Sequence, residues 1–285
     1  MPADPAPSAV ARLVRQHDHD RFLTALFAPA ERRQDLFALY AFNYEIARVR
    51  EVVSETLLGR IRLQWWRDAL DEIYGARAVR RHEVVEPLAA AIRGRGLSRA
   101  HFDRLIDARE QDLADEPLPS LAALEAYAEA TSSRLLFLAL EVLGESGATA
   151  LAAARAAGIA YALAGLLRAI PFHARAKRLY LPQDRVAAAG VAVDRELFEL
   201  RSSPALRRVV AEVAALAQRH LEEARALSSA VAQPALAALL PAVLARADLA
   251  HLARTGFDPF EPRLARPDPL RSWRLAVAAL RRRTG

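Results

Sequence analysis

Residues 31–55 read ERRQDLFALYAFNYEIARVREVVSE, and apolar side chains recur along them with the period of an α-helix. The recurring positions, mostly three or four residues apart, are Leu36, Leu39, Tyr40, Phe42 and Ile46. Glu31 lies in the first turn of the predicted helix, where a carboxylate interacts favourably with the helix dipole. The stretch therefore predicts an amphipathic helix with one buried face.

The helical period continues beyond this stretch. Between residues 57 and 75, one predicted apolar stripe consists of Leu58, Ile61, Trp65, Ala69 and Ile73. Gly75 follows this stripe as a C-cap, and a further predicted helix begins at the N-cap Ser120 and ends at Gly144. These start and stop signals indicate helices of ordinary length for a globular protein.

No segment alternates polar and apolar residues as a half-buried strand does, and short connectors rich in Gly, Pro and Ser separate the helical segments. Two more long helices are predicted over residues 203–227 and 233–254. The sequence thus predicts a single all-α domain over residues 1–285, packed as a helical bundle. We expect an N-terminal extension over about residues 1–20 and a basic C-terminal helix over about residues 267–285.

Composition excludes several classes of protein. The chain has no cysteine, so it has neither disulfides nor thiolate metal ligands. Its formal net charge of +6 is carried almost entirely by arginine, since Lys177 is the only lysine, and this excess is too small and scattered to indicate nucleic-acid binding. No secretory signal and no run of about 18 apolar residues is apparent. We therefore expect a cytoplasmic protein without membrane-spanning helices.

The segment GLLRAIPFHARAKRLYLP, residues 165–182, stands apart because of its charges. No Asp or Glu occurs between Ser146 and Gln183, yet the end of this stretch carries Arg168, Arg175, Lys177 and Arg178, with His173 among them. A helix buried in the bundle accounts for the lack of acids in the first part of the stretch. It does not account for four cations at the end.

Two segments resemble the squalene/phytoene synthase family: LYAFNYEIARVREVVSE, residues 39–55, and LLRAIPFHARAKRLYLPQD, residues 166–184. The resemblance covers most of the chain. It implies an isoprenoid synthase-type helical bundle around a central cavity, in which two facing helices each carry an Asp-x-x-x-Asp motif in active members. Residues four apart share a helix face, so each pair of carboxylates can hold Mg²⁺ against a substrate diphosphate.

This chain departs from the family pattern at those motifs. When it is aligned without gaps, the four main metal-binding positions fall on Ala47, Glu51, Ala169 and His173, of which only Glu51 is a carboxylate. Neither alanine can bind a metal ion, and one Glu with one His does not replace two carboxylate pairs for a hard cation. We therefore expect no cofactor, with Mg²⁺ required only if the chain is an active synthase.

The cationic side chains suggest a different use of the cavity. Arginine can hold phosphate by charge-assisted hydrogen bonds without a metal ion. We predict that an anionic lipid or prenyl phosphate is bound but not turned over. The predicted binding residues are Arg48, Arg168, Arg175, Lys177, Arg178 and Tyr180.

The resemblance is greatest to a branch of the family with degenerate Asp-rich motifs that includes a mitochondrial complex I assembly factor. It implies a role in assembling a respiratory complex, with its subunits as partners, at the membrane surface. Two alternatives stay open. One is an active prenyltransferase that joins two prenyl diphosphates head to head, and the other is a structural helical interaction protein.

Two further motifs, near the two ends of the sequence, have side chains that could bind a ligand or a membrane. The run HDHD, residues 17–20, has ligand-type side chains, but neighbouring residues on a helix point in different directions. We interpret it as a solvated polar entry to the first helix. The C-terminal segment carries Trp273, Arg281, Arg282 and Arg283. This combination fits an interfacial helix on the inner membrane. It also fits a terminal helix that packs on the bundle and has a solvated basic tail.

Overall fold

A computed structural model of the chain describes residues 7–114, 116–266 and 268–281. Those residues form sixteen α-helices and no strand, as the all-α prediction requires. The helices are α1 (Ala9–His17), α2 (His19–Ala25), α3 (Ala30–Ala47), α4 (Val49–Val52), α5 (Thr56–Tyr74), α6 (Val85–Arg95), α7 (Arg99–Gln111), α8 (Leu121–Ala128), α9 (Arg134–Leu143), α10 (Ala148–Arg168), α11 (Ile170–Arg175), α12 (Gln183–Ala189), α13 (Pro204–Ser228), α14 (Leu236–Leu239), α15 (Pro241–Arg254) and α16 (Arg271–Leu280). A π-helical turn, Glu129–Ser133, joins α8 to α9 without a break.

Helix α3 buries the predicted apolar residues, but it is covered on every side rather than on one face, because all residues from 36 to 43 are buried. The side chains of Leu36, Leu39, Tyr40, Phe42 and Ile46 are all almost completely shielded from solvent. The helix ends at Ala47, and α4 begins after Arg48, so the predicted single helix over residues 31–55 is interrupted at this point.

Helix α5 buries a different face from the one predicted. Ala69 and Ile73 are buried, but Leu58 and Ile61 are 45% and 57% exposed. The buried stripe passes instead through Leu63, Trp66 and Leu70. Two apolar stripes are compatible with the spacing in this helix, and packing against α7 and the turn Asp112–Ala114 selects the second. Gly75 caps the helix as predicted.

The centre of the bundle is α10, which packs against α13, α15 and the π-helical turn. Gly158 allows the closest approach, because a Cβ atom at that position would lie 2.5 Å from the Cα of Ser133. The hydroxyl of Ser133 donates a hydrogen bond to the carbonyl oxygen of Arg155 over 2.7 Å. Small residues along α10 thus let its backbone touch the π-helical turn directly.

Within the described residues, two segments are long and apolar enough to cross a membrane, contrary to the expectation of none: Ala148–Arg168 and Gln233–Arg254. Most of their residues are buried inside the bundle, as core helices of soluble proteins are. The second segment, predicted as one helix, is interrupted where Pro241 starts α15 after α14.

Both ends of the described chain pack onto the bundle. Val10 and Val14 of α1 are buried against α3, so residues from Ala9 onward belong to the core rather than to the extension predicted for residues 1–20. At the other end, α16 buries Leu275 against α15 and leaves Trp273 67% exposed. Arg281 is exposed as well, while Arg282 and Arg283 lie outside the described residues.

Candidate functional site

A cavity of about 320 Å³ opens between α1, α3, α10, α11 and the π-helical turn. We call it the central cavity. It brings together three of the four positions where the resemblance places metal-binding residues, Ala47, Ala169 and His173. The fourth, Glu51, lies on α4 with its side chain exposed and is not part of the lining. The two predicted motif helices therefore do face each other, but without their carboxylates.

One buried cation in the central cavity, Arg21 on α2, was not predicted from the sequence. Its side chain donates a hydrogen bond of 2.7 Å from Nη1 to Oδ2 of Asp18, and its guanidinium lies 4.8 Å from the ring centre of Tyr161. Burial acts to lower the pKa of Arg21, but the charge and hydrogen bond of Asp18, together with the neighbouring tyrosines Tyr161 and Tyr40, outweigh burial and the pKa is raised. The guanidinium therefore stays charged inside the protein.

A second unpredicted cation, Arg109 on α7, also lines the cavity. Its Nη1 donates to the hydroxyl of Tyr127 over 2.9 Å and to Oδ2 of Asp112 over 3.2 Å. Asp112 also accepts hydrogen bonds from the hydroxyls of Tyr127 and Tyr180, at 3.1 and 3.2 Å. Burial raises the pKa of both tyrosines, so both remain neutral donors. One carboxylate thus organises three side chains beside the cavity.

His173 occupies a motif position as a neutral imidazole. Burial lowers its pKa to about 4, and the nearby charge of Arg178 acts in the same direction. Its ring lies 4.4 Å from the ring of Tyr180, and its Nδ1 is buried without a hydrogen-bond partner among the described residues. At neutral pH the side chain therefore adds hydrogen-bonding capacity but no charge.

Buried polar atoms without a partner concentrate in this cavity. Such atoms are rare in folded proteins, because each one costs free energy unless it is paired. Among the described residues, five cavity-lining side chains contribute one each: Arg21 Nε, Asn43 Oδ1, Arg109 Nε, Ser132 Oγ and His173 Nδ1. The cavity thus offers unused donors and acceptors to a polar group that enters it.

Most of the predicted binding residues lie elsewhere. Arg48 lines a separate groove, Arg178 and Tyr180 line a neighbouring cavity of about 260 Å³, and Arg175 and Lys177 are exposed. Arg168 does line the central cavity. Helix α10 ends at Arg168 and α11 begins anew at Ile170, so Arg168 and Arg175 lie on different helices.

The run HDHD is solvated only in part: His17 and His19 are exposed, as predicted, but the two aspartates form ion pairs. Asp18 holds Arg21, as described above. Asp20 accepts two hydrogen bonds of 2.6 Å from Arg271 on α16, and Arg168 lies 3.4 Å from it. Although burial acts to raise the pKa of Asp20, the two arginines outweigh it and the pKa is lowered. The sequence gives no local sign of this, because the partners come from the far end of the chain.

The central cavity does not fit the Mg²⁺ ions that active family members use. The lining has one carboxylate, Asp18, which is already paired with Arg21, together with three arginines. In the described part of the chain, no three His, Asp or Glu side chains form a group that could hold a metal ion. A hard divalent cation prefers several carboxylate oxygens and is repelled by guanidinium groups.

Comparison with known proteins identifies the family of this chain. The model of the squalene/phytoene synthase family matches residues 14–281. The chain belongs to this family. Assembly factor 6 of NADH dehydrogenase (ubiquinone) complex I from Bos taurus is 34% identical over 271 residues, which cover 95% of this chain and 81% of the relative.

Solved structures confirm the isoprenoid synthase fold. Squalene synthase HpnC from Alicyclobacillus acidocaldarius superposes with a TM-score of 0.78 at 23% identity, covering 88% of this chain and 94% of that one. A dehydrosqualene synthase superposes with a TM-score of 0.82 at 19% identity, covering 95% and 94%. At such identities the similarity establishes the fold, and the chemistry has to be argued from the residues in the cavity.

Proposed function

We propose that this protein is a non-catalytic member of the squalene/phytoene synthase family that binds an anionic lipid or prenyl phosphate and acts in the assembly of respiratory complex I at the membrane surface. The observation that carries the proposal is the replacement of the motif carboxylates. Ala47, Ala169 and His173 line a cavity whose buried charged groups include Arg21 and Arg109.

The buried arginines suit a phosphate group. Each keeps a carboxylate that fixes its position, Asp18 for Arg21 and Asp112 for Arg109, and each retains an Nε without a partner among the described residues. A guanidinium that is already positioned and desolvated donates stronger hydrogen bonds to an anion than one in water. A phosphate ester would bind here through donors, without a metal ion.

The assembly role rests on the relatives. The bovine complex I assembly factor matches nearly the whole chain at an identity that exceeds that of the solved synthases. A shared function in assembly accounts for an isoprenoid synthase fold that lacks the metal-binding carboxylates.

The binding part is tested by calorimetric titration of the purified protein with farnesyl diphosphate, in EDTA and in Mg²⁺. We expect the affinity for farnesyl diphosphate to be equal in EDTA and in Mg²⁺, and we expect no product to form. The variant Gly165→Asp adds a carboxylate to the cavity lining at a position where a Cβ meets nothing within 4 Å. It should weaken binding at least about tenfold through charge repulsion. Gly165→Ala is the matched control and should bind as the wild type does.

Binding that requires Mg²⁺, or formation of presqualene diphosphate or squalene, would contradict the proposal and support an active synthase. The assembly part is tested by deleting the gene in the source organism. We expect less assembled complex I in its membranes and recovery on complementation. An unchanged amount would contradict the assembly role without affecting the cavity result.

A further inference from the structure

The first half of α5, with the end of α4, presents apolar side chains to solvent. Val52, Leu57, Leu58 and Ile61 are 44%, 64%, 45% and 57% exposed. On α5 they follow helical spacing, so they form one continuous stripe rather than scattered single residues. Contiguous exposed apolar surface of this kind marks a site that contacts another molecule or a membrane.

A groove of about 300 Å³ runs beside this stripe. Val52, Ile61 and Trp65 supply apolar lining, and Arg48 and Arg62 supply positive charge. Glu45 is the carboxylate in the same lining, and Arg48 lies 3.5 Å from it. The stripe therefore joins a basic, partly apolar depression.

The turn that follows α11 lies next to α4, because Nη2 of Arg178 donates a hydrogen bond of 3.3 Å to the carbonyl oxygen of Arg50. On α11, which precedes this turn, Phe172 is 52% exposed. Segments 45–62 and 172–178 together carry seven arginines or lysines and three glutamates, and Glu110 of α7 adds a fourth carboxylate 3.8 Å from Arg60. The surface formed by these two segments, which we call the α5 face, thus has an excess of positive charge.

Several of these cations are available to an external anion. Arg62, Arg175 and Lys177 form no ion pair within the described residues, and all three are exposed. Protruding Leu, Ile and Phe side chains surrounded by Arg and Lys fit a bilayer with anionic headgroups, where the apolar groups enter the acyl boundary and the cations meet phosphates.

We propose that the α5 face docks this protein on an anionic lipid bilayer. The inference extends the membrane part of the proposed function and assigns it to a surface other than the C-terminal helix. It also relates docking to the cavity, because Ala47 lines the central cavity while Arg48, the next residue, lines the groove of the α5 face. A docked molecule would hold its cavity close to the lipid headgroups.

Vesicle co-sedimentation tests this proposal. The probes are vesicles of phosphatidylcholine with phosphatidylglycerol, and vesicles of phosphatidylcholine alone. We expect wild-type protein to bind the anionic vesicles and to be released by salt. The double variant L57S/L58S should bind them at least about tenfold more weakly, since two partly inserted leucines are lost. R175Q/K177Q should also weaken binding, but only to the anionic vesicles.

The matched control is W273S/L280S, which removes two exposed apolar side chains from α16. We expect it to bind as the wild type does. Wild-type binding by L57S/L58S, loss of binding by the control, or absence of wild-type binding would each overturn the proposal. So would a wild-type dimer that L57S/L58S dissociates, because the face would then join two copies. Farnesyl diphosphate titration of L57S/L58S separates this result from the cavity function and should be unchanged.

Discussion

Asp112 shows how a single side chain can organise a site it does not itself line. It lies just beyond α7 and accepts hydrogen bonds from Arg109, Tyr127 and Tyr180, with its own side chain 7% exposed. Its charge offsets that of a guanidinium which has little contact with water. Removing that charge leaves Arg109 buried and uncompensated, which is more costly than the loss of an exposed pair.

We predict that Asp112→Asn lowers the free energy of unfolding by about 3 kcal/mol. Asp107→Asn is the control, because Asp107 also pairs with an arginine of the bundle, Arg67, but is 52% exposed. It should lower the free energy of unfolding by less than about 1 kcal/mol. Urea unfolding monitored by circular dichroism measures both. Equal losses would show that Asp112 is no more than a surface partner.

The pKa of His173 makes stability depend on pH in a defined window. Because its folded pKa of about 4 lies below the unfolded value near 6.5, the unfolded chain takes up the proton first as pH falls. The neutral ring makes its full contribution to the free energy of unfolding above pH 6.5, and this contribution is lost as pH falls toward 4. Arg178 acts to lower this pKa and Asp112 acts to raise it.

We expect wild-type unfolding free energy to fall by about 2 kcal/mol more than that of His173→Gln across this window. Urea titrations at a series of pH values give the difference in unfolding free energy between the two proteins. The contributions of titratable groups that both proteins share, including His101, cancel in this difference. Parallel curves for the two proteins would exclude a depressed pKa at His173.

At the scale of elements, the contact between α10 and the π-helical turn sets the width of the central cavity. Both elements supply cavity-lining residues, among them Ser132 from the turn and Gly165 and Ala169 from α10. Their backbones meet at Gly158, where no side chain fits. A π-helical turn inside a longer helix shifts the register of the residues that follow, which here brings Thr131 and Ser132 to the cavity.

We predict that Gly158→Ala destabilises the protein by about 2 kcal/mol or more, since the new methyl group meets backbone atoms that cannot move without displacing a helix. Gly165→Ala, in the same helix but with nothing within 4 Å of the new Cβ, should be neutral or stabilising by up to about 1 kcal/mol. Thermal unfolding distinguishes the two. Similar melting temperatures would show that the two helices separate at little cost.

At the scale of the whole molecule, four charged residues connect α16 to the remainder of the bundle. Arg271 donates to Asp20 and Asp248, and Arg168 donates to the same two carboxylates. Two positive and two negative charges thus join helices α2, α10, α15 and α16. This network explains why Arg168, which lines the cavity, is less available to a ligand than its position suggests.

We predict that Arg271→Met releases α16 and lowers the free energy of unfolding by about 2 kcal/mol, because Asp20 loses its bidentate partner. Hydrogen exchange should rise in residues 271–280. Arg274→Met is the control, since Arg274 pairs with Asp268 and is 43% exposed, and it should leave exchange unchanged. Similar protection in both variants would mean that Leu275 alone holds the helix.

The fold could be predicted largely from local patterns, but the choice of helix face could not always be. In α3 the five predicted residues are buried, but so is every residue from 36 to 43, because helices pack on all sides of α3. In α5 two stripes compete, and only the position of α7 decides between them. Leu58 and Ile61 were therefore assigned to the core although they face solvent.

The site could be predicted only where it coincides with a motif. Ala47, Ala169 and His173 reach the cavity because the family fold places those positions there. Arg21 and Arg109 have no motif and resemble any other arginine in an arginine-rich chain. Their role depends on contacts with Asp18 and Asp112 and on burial by neighbouring helices, and burial is a property of the assembled bundle.

The pair between Asp20 and Arg271 has a consequence for biosynthesis. The two residues are 251 positions apart, so the pair cannot form until nearly the whole chain has left the ribosome. Until then, Asp20 and the start of α2 face a bundle that lacks α16. We expect a nascent chain that still lacks α16 to hold α2 more loosely than the finished protein does, because Asp20 has not yet gained Arg271.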